Sequence, residues 1–319
     1  STGKGGNLKI DTENLLIANG AQVGTGTFGE GDGGEINIKA KQIEMIGTES
    51  RLFPTMLKSA TSKTGNAGKI TITAHTVLVK DTGQIRADTF NNATGNGNDI
   101  NIQADTIFLS NRANISAGTT SKGNAGNILV TANNFEANSG SKLRTATTGN
   151  NKAGNIIFNI KDNLTLTGTE TGIFANTTEN STGNGGSIII DPKVVNILDG
   201  AEISVNSSGS GIGGDIELTA GNLNLNNGRI SAETRSNTGG DITLNTQNLL
   251  QLRNNSQIST TAGNEQFGGD GGNININSPD GFIVAFPNEN SNISANAFEG
   301  NGGKIDISAF GIFGIEFRD

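Results

Sequence analysis

Gly213-Gly214-Asp215-Ile216 and Gly239-Gly240-Asp241-Ile242 are two copies of one phrase: two small residues, any residue, then an aliphatic. The phrase occurs eleven times. It opens at Gly5-Gly6-Asn7-Leu8, passes through Gly33-Gly34-Glu35-Ile36 and Ala67-Gly68-Lys69-Ile70, and closes at Gly302-Gly303-Lys304-Ile305. The second small residues fall at 6, 34, 68, 98, 126, 154, 186, 214, 240, 272 and 303, a mean period of 29.7. Self-similarity at such a period is the signature of a solenoid, in which one supersecondary unit stacks on the next.

Each repeat carries three strand signals. The first follows the small pair, as in Ile36-Asn37-Ile38 and Ile70-Thr71-Ile72. The second comes about seven residues later, as in Val77-Leu78-Val79 and Leu223-Asn224-Leu225. The third follows a short Gly/Asn/Asp turn, as in Ile85-Arg86-Ala87, Ile203-Ser204-Val205 and Ile230-Ser231-Ala232. Alternation of period two puts the aliphatics on one face. No segment sustains a period of 3.6, and glycine and asparagine suit left-handed corners. The pattern predicts an all-β fold: a right-handed, single-stranded parallel β-helix, three-sided, with about ten to eleven coils. At about 4.8 Å per coil it would be a rod on the order of 50 Å long. Residues 1–319 read as one β-helix domain. A propeller needs larger, four-stranded blades.

Composition agrees. Glycine supplies 47 of 319 residues and only 33% of the chain is hydrophobic, which suits a thin coil with few inward side chains. There is no cysteine, so disulfides and thiolate metal sites are excluded. The net charge of −8 argues against nucleic acid as a partner. No apolar run is long enough to span a bilayer. The chain opens inside a repeat at Ser1-Thr2-Gly3, without an initiator Met or signal peptide, and reads as a piece of something longer. No motif implies a cofactor. The second interval is long because of Arg51-Leu52-Phe53-Pro54-Thr55-Met56-Leu57, which is expected to bulge from the rod or to pack back on its own coil.

Candidate sites are few. Asp215 and Asp241 occupy the same position in successive coils and should stack about one strand spacing apart, with Glu217 on the same outward face. The three acids could hold Ca²⁺, or act as acid and base on a polysaccharide. The simpler reading is a solvated acidic patch, since Arg229 and Arg235 are only loosely suited as basic partners. Gly29-Glu30-Gly31-Asp32-Gly33 and Gly268-Gly269-Asp270-Gly271 look superficially like calcium repeats but lack the tandem Asp. His75 has no partner motif and reads as an exposed turn residue. Ser116, Ser204, Ser231, Ser259 and Ser294 share the third strand and suggest an outward hydroxyl row, read first as a structural ladder between coils and alternatively as a polar face that binds sugars or, when regular, ice. The sequons Asn92-Ala93-Thr94 and Asn180-Ser181-Thr182 are expected by chance in so Asn-rich a chain.

The final segment carries a family resemblance. Phe282-Ile283-Val284-Ala285-Phe286-Pro287-Asn288-Glu289-Asn290-Ser291-Asn292-Ile293-Ser294-Ala295 leads into Asn301-Gly302-Gly303, followed by Gly311-Ile312-Phe313-Gly314-Ile315-Glu316-Phe317-Arg318. With the Gly-Gly-Asn-Ile repeat and its Ile-Ser-Ala third strand, this resembles the C-terminal β-helix of cyanobacterial filamentous haemagglutinin-like exoproteins. The resemblance implies a right-handed β-helix, two-partner secretion through an outer-membrane pore, an extracellular or cell-surface location, and adhesion. It carries over no binding residue. Residues 282–319 read as a Phe-rich last coil or cap, with Phe310, Phe313 and Phe317. Uncapped ends would favour end-to-end stacking into a homopolymer. The function expected from these features is a non-enzymatic rod that presents polar faces to surfaces, glycans or like copies. The alternatives are a polysaccharide-active enzyme centred on Asp215, Glu217 and Asp241, and an ice-binding solenoid.

Overall fold

A computed structural model of the chain describes residues 2–48, 53–90, 93–119, 122–263 and 267–316. Every strand pairing in it is parallel, between one coil and the next, giving a β-solenoid of about ten turns. The described residues include one short 3₁₀ turn, Pro287–Glu289, and no α-helix.

The first and second strand signals lie in one sheet and fuse in many coils into a single bent strand, as in Leu8–Ala18, Ile128–Asn138 and Ile216–Asn226. In several coils the bend shifts the pairing register, between Ala132 and Asn134 for example. The third signal forms a separate ten-stranded sheet running from Gln22–Thr27 to Asn292–Ser294. Between the sheets the chain turns through consecutive left-handed residues. Asn19 and Gly20 have φ of 57° and 80°, and Asp199 and Gly200 have φ of 55° and 89°. Asparagine, aspartate and glycine tolerate that region because their side chains are short, polar or absent.

Alternation places one side chain in two inside. Ile70, Ile100, Ile128, Ile156 and Ile188 form one fully buried stack, and Ile85, Ile115, Leu143, Ile173 and Ile203 another. Each such side chain contributes about 1.5–3 kcal/mol on leaving water. Among the described residues two aromatics are buried, Phe135 and Phe158, meeting edge to face at 4.9 Å.

The third strand's alternation continues further than its three-residue sequence signal. Two and four residues after Ile85 come Ala87 and Thr89, both fully buried. Thr89, Thr119, Thr147, Thr177, Ser207 and Thr234 then form a one-residue-wide parallel ladder from coil to coil. Their hydroxyls are hydrogen-bonded inside the rod: Thr177 meets Ser207 at 3.0 Å, and Thr61 donates to the Gly65 carbonyl at 2.5 Å. A buried hydroxyl needs such a partner to offset its desolvation.

The inserted stretch packs against the rod over part of its length, the second of the two expected courses. Thr55 and Leu57 are buried, and Met56–Thr61 pairs with Gln22–Thr27. The end of the stretch is therefore part of a coil, tied down where the Gly20 N–H donates to Thr55 Oγ1 at 2.9 Å. Phe53 stands exposed, and Arg51 and Leu52 lie outside the described residues. At the C-terminal end Ile305–Phe313 is one more coil strand, paired with Ile274–Ala285. Phe310 and Phe313 point outward onto Phe282, at 5.4 Å and 6.1 Å between centroids. Phe317 lies outside the described residues.

Candidate functional site

The acids singled out in the sequence lie together, and their geometry gives them a structural task. The Asp241 N–H donates to Asp215 Oδ1 at 3.0 Å, and the Asn273 N–H donates to Asp241 Oδ1 at 2.7 Å. Asn7, Asp99, Asn127, Asn155 and Asn273 do the same for the next coil. The third position of the phrase is thus a hook. Its short side chain accepts the N–H of the equivalent residue one coil on, while its own carbonyl takes the following aliphatic's N–H from the coil before, as in Ile216 to Asp241 at 2.9 Å.

A second row of hooks flanks the other side of the corner. Asp32, Asn66, Asn96, Asn184 and Asp270 accept N–H groups from the next coil at 2.8–3.0 Å. The two Gly/Asp-rich stretches therefore place Asp32 and Asp270 as backbone acceptors. Their neighbours Gly31 and Gly269 approach the preceding coil so closely that a Cβ would lie 2.3 Å from a carbonyl oxygen.

Asp215, Glu217 and Asp241 are exposed, and Asp215 and Asp241 border a shallow groove of about 430 Å³ along the glycine corner, which Glu217 does not line. Glu217 pairs with Ile189 and Thr243, so no third acid stacks on it. Arg229 and Arg235 are elsewhere: Arg229 binds Glu233 at 2.6 Å on the ten-stranded sheet, and Arg235 lies over the Phe267 ring at 4.8 Å. Neither adjoins the acids. Among the described residues, no group of three His, Asp or Glu side chains gathers as metal ligands would.

The expected outward serine row is corrected. Ser116, Ser204, Ser231 and Ser259 are buried, with exposures of 0–5%, and Ser294 is half-buried. Side chains from the preceding coil overlie three of them and accept their hydroxyls: Asp88 takes Ser116 at 2.9 Å, Asn176 takes Ser204 at 3.0 Å and Glu202 takes Ser231 at 3.0 Å. These serines present no hydroxyl array to sugar or ice.

Asp88 was not singled out in the sequence. It is buried, and its Oδ2 faces Arg86 at 2.7 Å while its Oδ1 accepts from Ser116 and from the Gly118 N–H at 2.8 Å. Burial pushes its carboxyl above the usual range, against the pull of Arg86 and, more weakly, Arg144. Asn176 and Asn206 take the same position later and hook the next coil likewise. Asp88 is therefore a buried variant of one more hook row.

His75 is exposed, as expected, with Nδ1 2.9 Å from Asp105 Oδ2. The pair borders a groove of about 560 Å³ along the bend between the first and second strands. No sequence signal marked this groove, because it arises from the bend repeated over several coils. No protein-family model matches the chain, and no curated protein or solved structure matches it.

Proposed function

We propose that the chain is a non-enzymatic rod of a secreted or cell-surface protein, holding polar side chains at fixed spacing for multivalent adhesion. The observation that carries this reading is the register. One residue position recurs coil after coil at about a strand spacing, so any outward group is displayed as a row. Rows of weak contacts add up when they engage one surface together.

The acids support the same reading. Asp215 and Asp241 each use an oxygen to hold the next coil, and neither Arg229 nor Arg235 pairs with them. Location outside the cell, passage through an outer-membrane pore and kinship with filamentous haemagglutinin-like exoproteins rest on the resemblance of residues 282–318. End-to-end stacking is part of the proposal: among the described residues, Leu8–Ala18 and Ile305–Phe313 each pair on one side, and an unpaired strand edge is a template for a further strand.

Beads coated with the purified chain test the reading. They should stay on cell and polysaccharide-coated surfaces at least tenfold more than albumin-coated beads. Equal retention on every surface overturns it. So does a glycan-cleavage activity of the native chain that Asp241→Asn abolishes.

A further inference from the structure

The bend between the first and second strands forms a shallow groove along the rod axis. Its longer stretch, about 560 Å³, runs from Lys39 to Asp191. A second stretch of about 380 Å³ follows the same bend from Thr219 to Asp280. The floor of the longer stretch is small and apolar: Ala40, Ala74, Ala104, Ala132 and Ile160.

One wall is a row of polar side chains that opens with a cation. Lys39 heads it, and the uncharged Thr73, Gln103, Thr131 and Asn159 follow in register on successive coils. None of these four side chains hydrogen-bonds within the described protein. The Asn and Asp rows at the glycine corner, by contrast, are occupied in holding coils together. On the same outward face, two residues from Thr131 and Asn159, lie Leu129 and Ile157, and Ile189 continues their row. Ile189 is 39% exposed and the other two are half-buried. An aliphatic shelf thus runs beside the polar wall.

The opposite wall holds charges that largely cancel. His75 meets Asp105, which also accepts from Asn133 Nδ2 at 3.3 Å, and Lys193 meets Asp162 at 2.7 Å just beyond. Lys161 and Asp191 bring one charge of each sign.

We propose that this groove binds an extended, uncharged polysaccharide. The inference rests on the reading of the chain as a presenting rod, and names the ligand class and the place. An axial groove admits a linear polymer lengthwise. Its polar row repeats at about 4.8 Å, close to the length of one sugar unit in an extended chain. Sugars are amphipathic: hydroxyls would pair with Thr73, Gln103, Thr131 and Asn159, while the C–H face of the ring packs on Leu129, Ile157 and Ile189. The chain's net charge of −8 and the cancelled wall charges disfavour a polyanion. A polypeptide strand would need free backbone N–H and C=O groups, and those flanking the bend are engaged in the coil ladder, as where the His75 carbonyl accepts from Asp105 and Thr106.

The test is a binding panel of immobilised neutral glucans, mannans, xylans and galactans, with heparin and polygalacturonate as polyanions and an unfolded polypeptide as a further control. At least one neutral polymer should retain the native chain. The double variant Gln103→Ala/Asn159→Ala should weaken that retention at least tenfold, and so should Ile157→Asp. Gln257→Ala, on the other sheet, should leave it unchanged. Circular dichroism and melting curves on each variant show whether it is folded. Retention by no neutral polymer, by polyanions or polypeptide only, or retention indifferent to both groove variants overturns the proposal. Bead adhesion that survives both groove variants would sink this site and leave the rod reading standing, whereas a native chain that adheres to nothing sinks the reading itself.

Discussion

Gly240 lies directly against the carbonyl of Gly214, one coil before it: a Cβ on Gly240 would sit 1.7 Å from that oxygen. Gly214 stands in the same relation to Gly186, and Gly186 to Gly154, at 1.9 Å and 2.0 Å. The second residue of the phrase is glycine in ten of its eleven copies, Asn98 being the exception, because the stacked backbones leave little room for a side chain. The first residue is less confined, and alanine occupies it at Ala67, Ala125 and Ala153.

Gly240→Ala should therefore cost about 3 kcal/mol or more, since backbone on both sides must move. Gly302→Ala, where the nearest atom to a new Cβ is 3.3 Å away, should fall within about 0.5 kcal/mol of the native chain. Thermal unfolding of the two variants side by side checks this. Equal melting temperatures would mean that the close approach does not set the glycine.

Asp241→Asn keeps an acceptor for the Asn273 N–H and should change stability by less than about 0.5 kcal/mol. Asp241→Ala removes the acceptor and should cost about 1 kcal/mol, the size of one hydrogen bond at an exposed corner. Asparagine already fills this position at Asn127, Asn155 and Asn273. Chemical denaturation distinguishes the two substitutions.

Thr177→Val leaves the Ser207 hydroxyl buried without its partner and should cost about 1–3 kcal/mol. Thr177→Ala combined with Ser207→Ala should cost less than the sum of the single changes, because neither hydroxyl is then stranded. Alanine already occupies this row at Ala262 and Ala297. A double-mutant cycle on melting temperature reads the difference.

Two acids should give opposite pH dependence. Asp88 has its carboxyl raised by burial, so the native state holds its proton more tightly than the unfolded chain. Its contribution is full below the ordinary aspartate range and is lost as pH climbs through the raised value. The native chain should thus lose stability relative to Asp88→Asn on going up in pH. Glu289 behaves in reverse. Its hydrogen bonds to Arg253, at 2.6 Å on both oxygens, hold its carboxyl below the usual glutamate range, against a weaker effect of burial. Its contribution is present above the ordinary glutamate value and is lost as pH falls through the lowered one. Stability against pH for Asp88→Asn and Glu289→Gln, each compared with the native chain, should show differences of opposite slope.

Much of the fold was legible from Gly-Gly-x-Ile alone. The corner, the inward aliphatic and the left-handed turns at Asn19-Gly20 and Asp199-Gly200 follow from local chemistry, which repeats wherever the residues repeat. Asp215 and Asp241 were correctly placed in one stack, but the sequence left their task open. A carboxylate that hooks a backbone N–H and one that awaits a ligand are the same letter.

What the sequence by itself determined is the coil: its period, its parallel stacking and the buried rows of isoleucine, because alternation and glycine spacing are properties of neighbouring residues. Tertiary structure alone decided which polar rows are free. Ser116 is buried because Asp88 overlies it from the preceding coil, and Gln103 faces open groove because the strand bends at Ala104. Both depend on residues about thirty positions apart meeting at one strand spacing, and no local pattern encodes which side chain ends up above another.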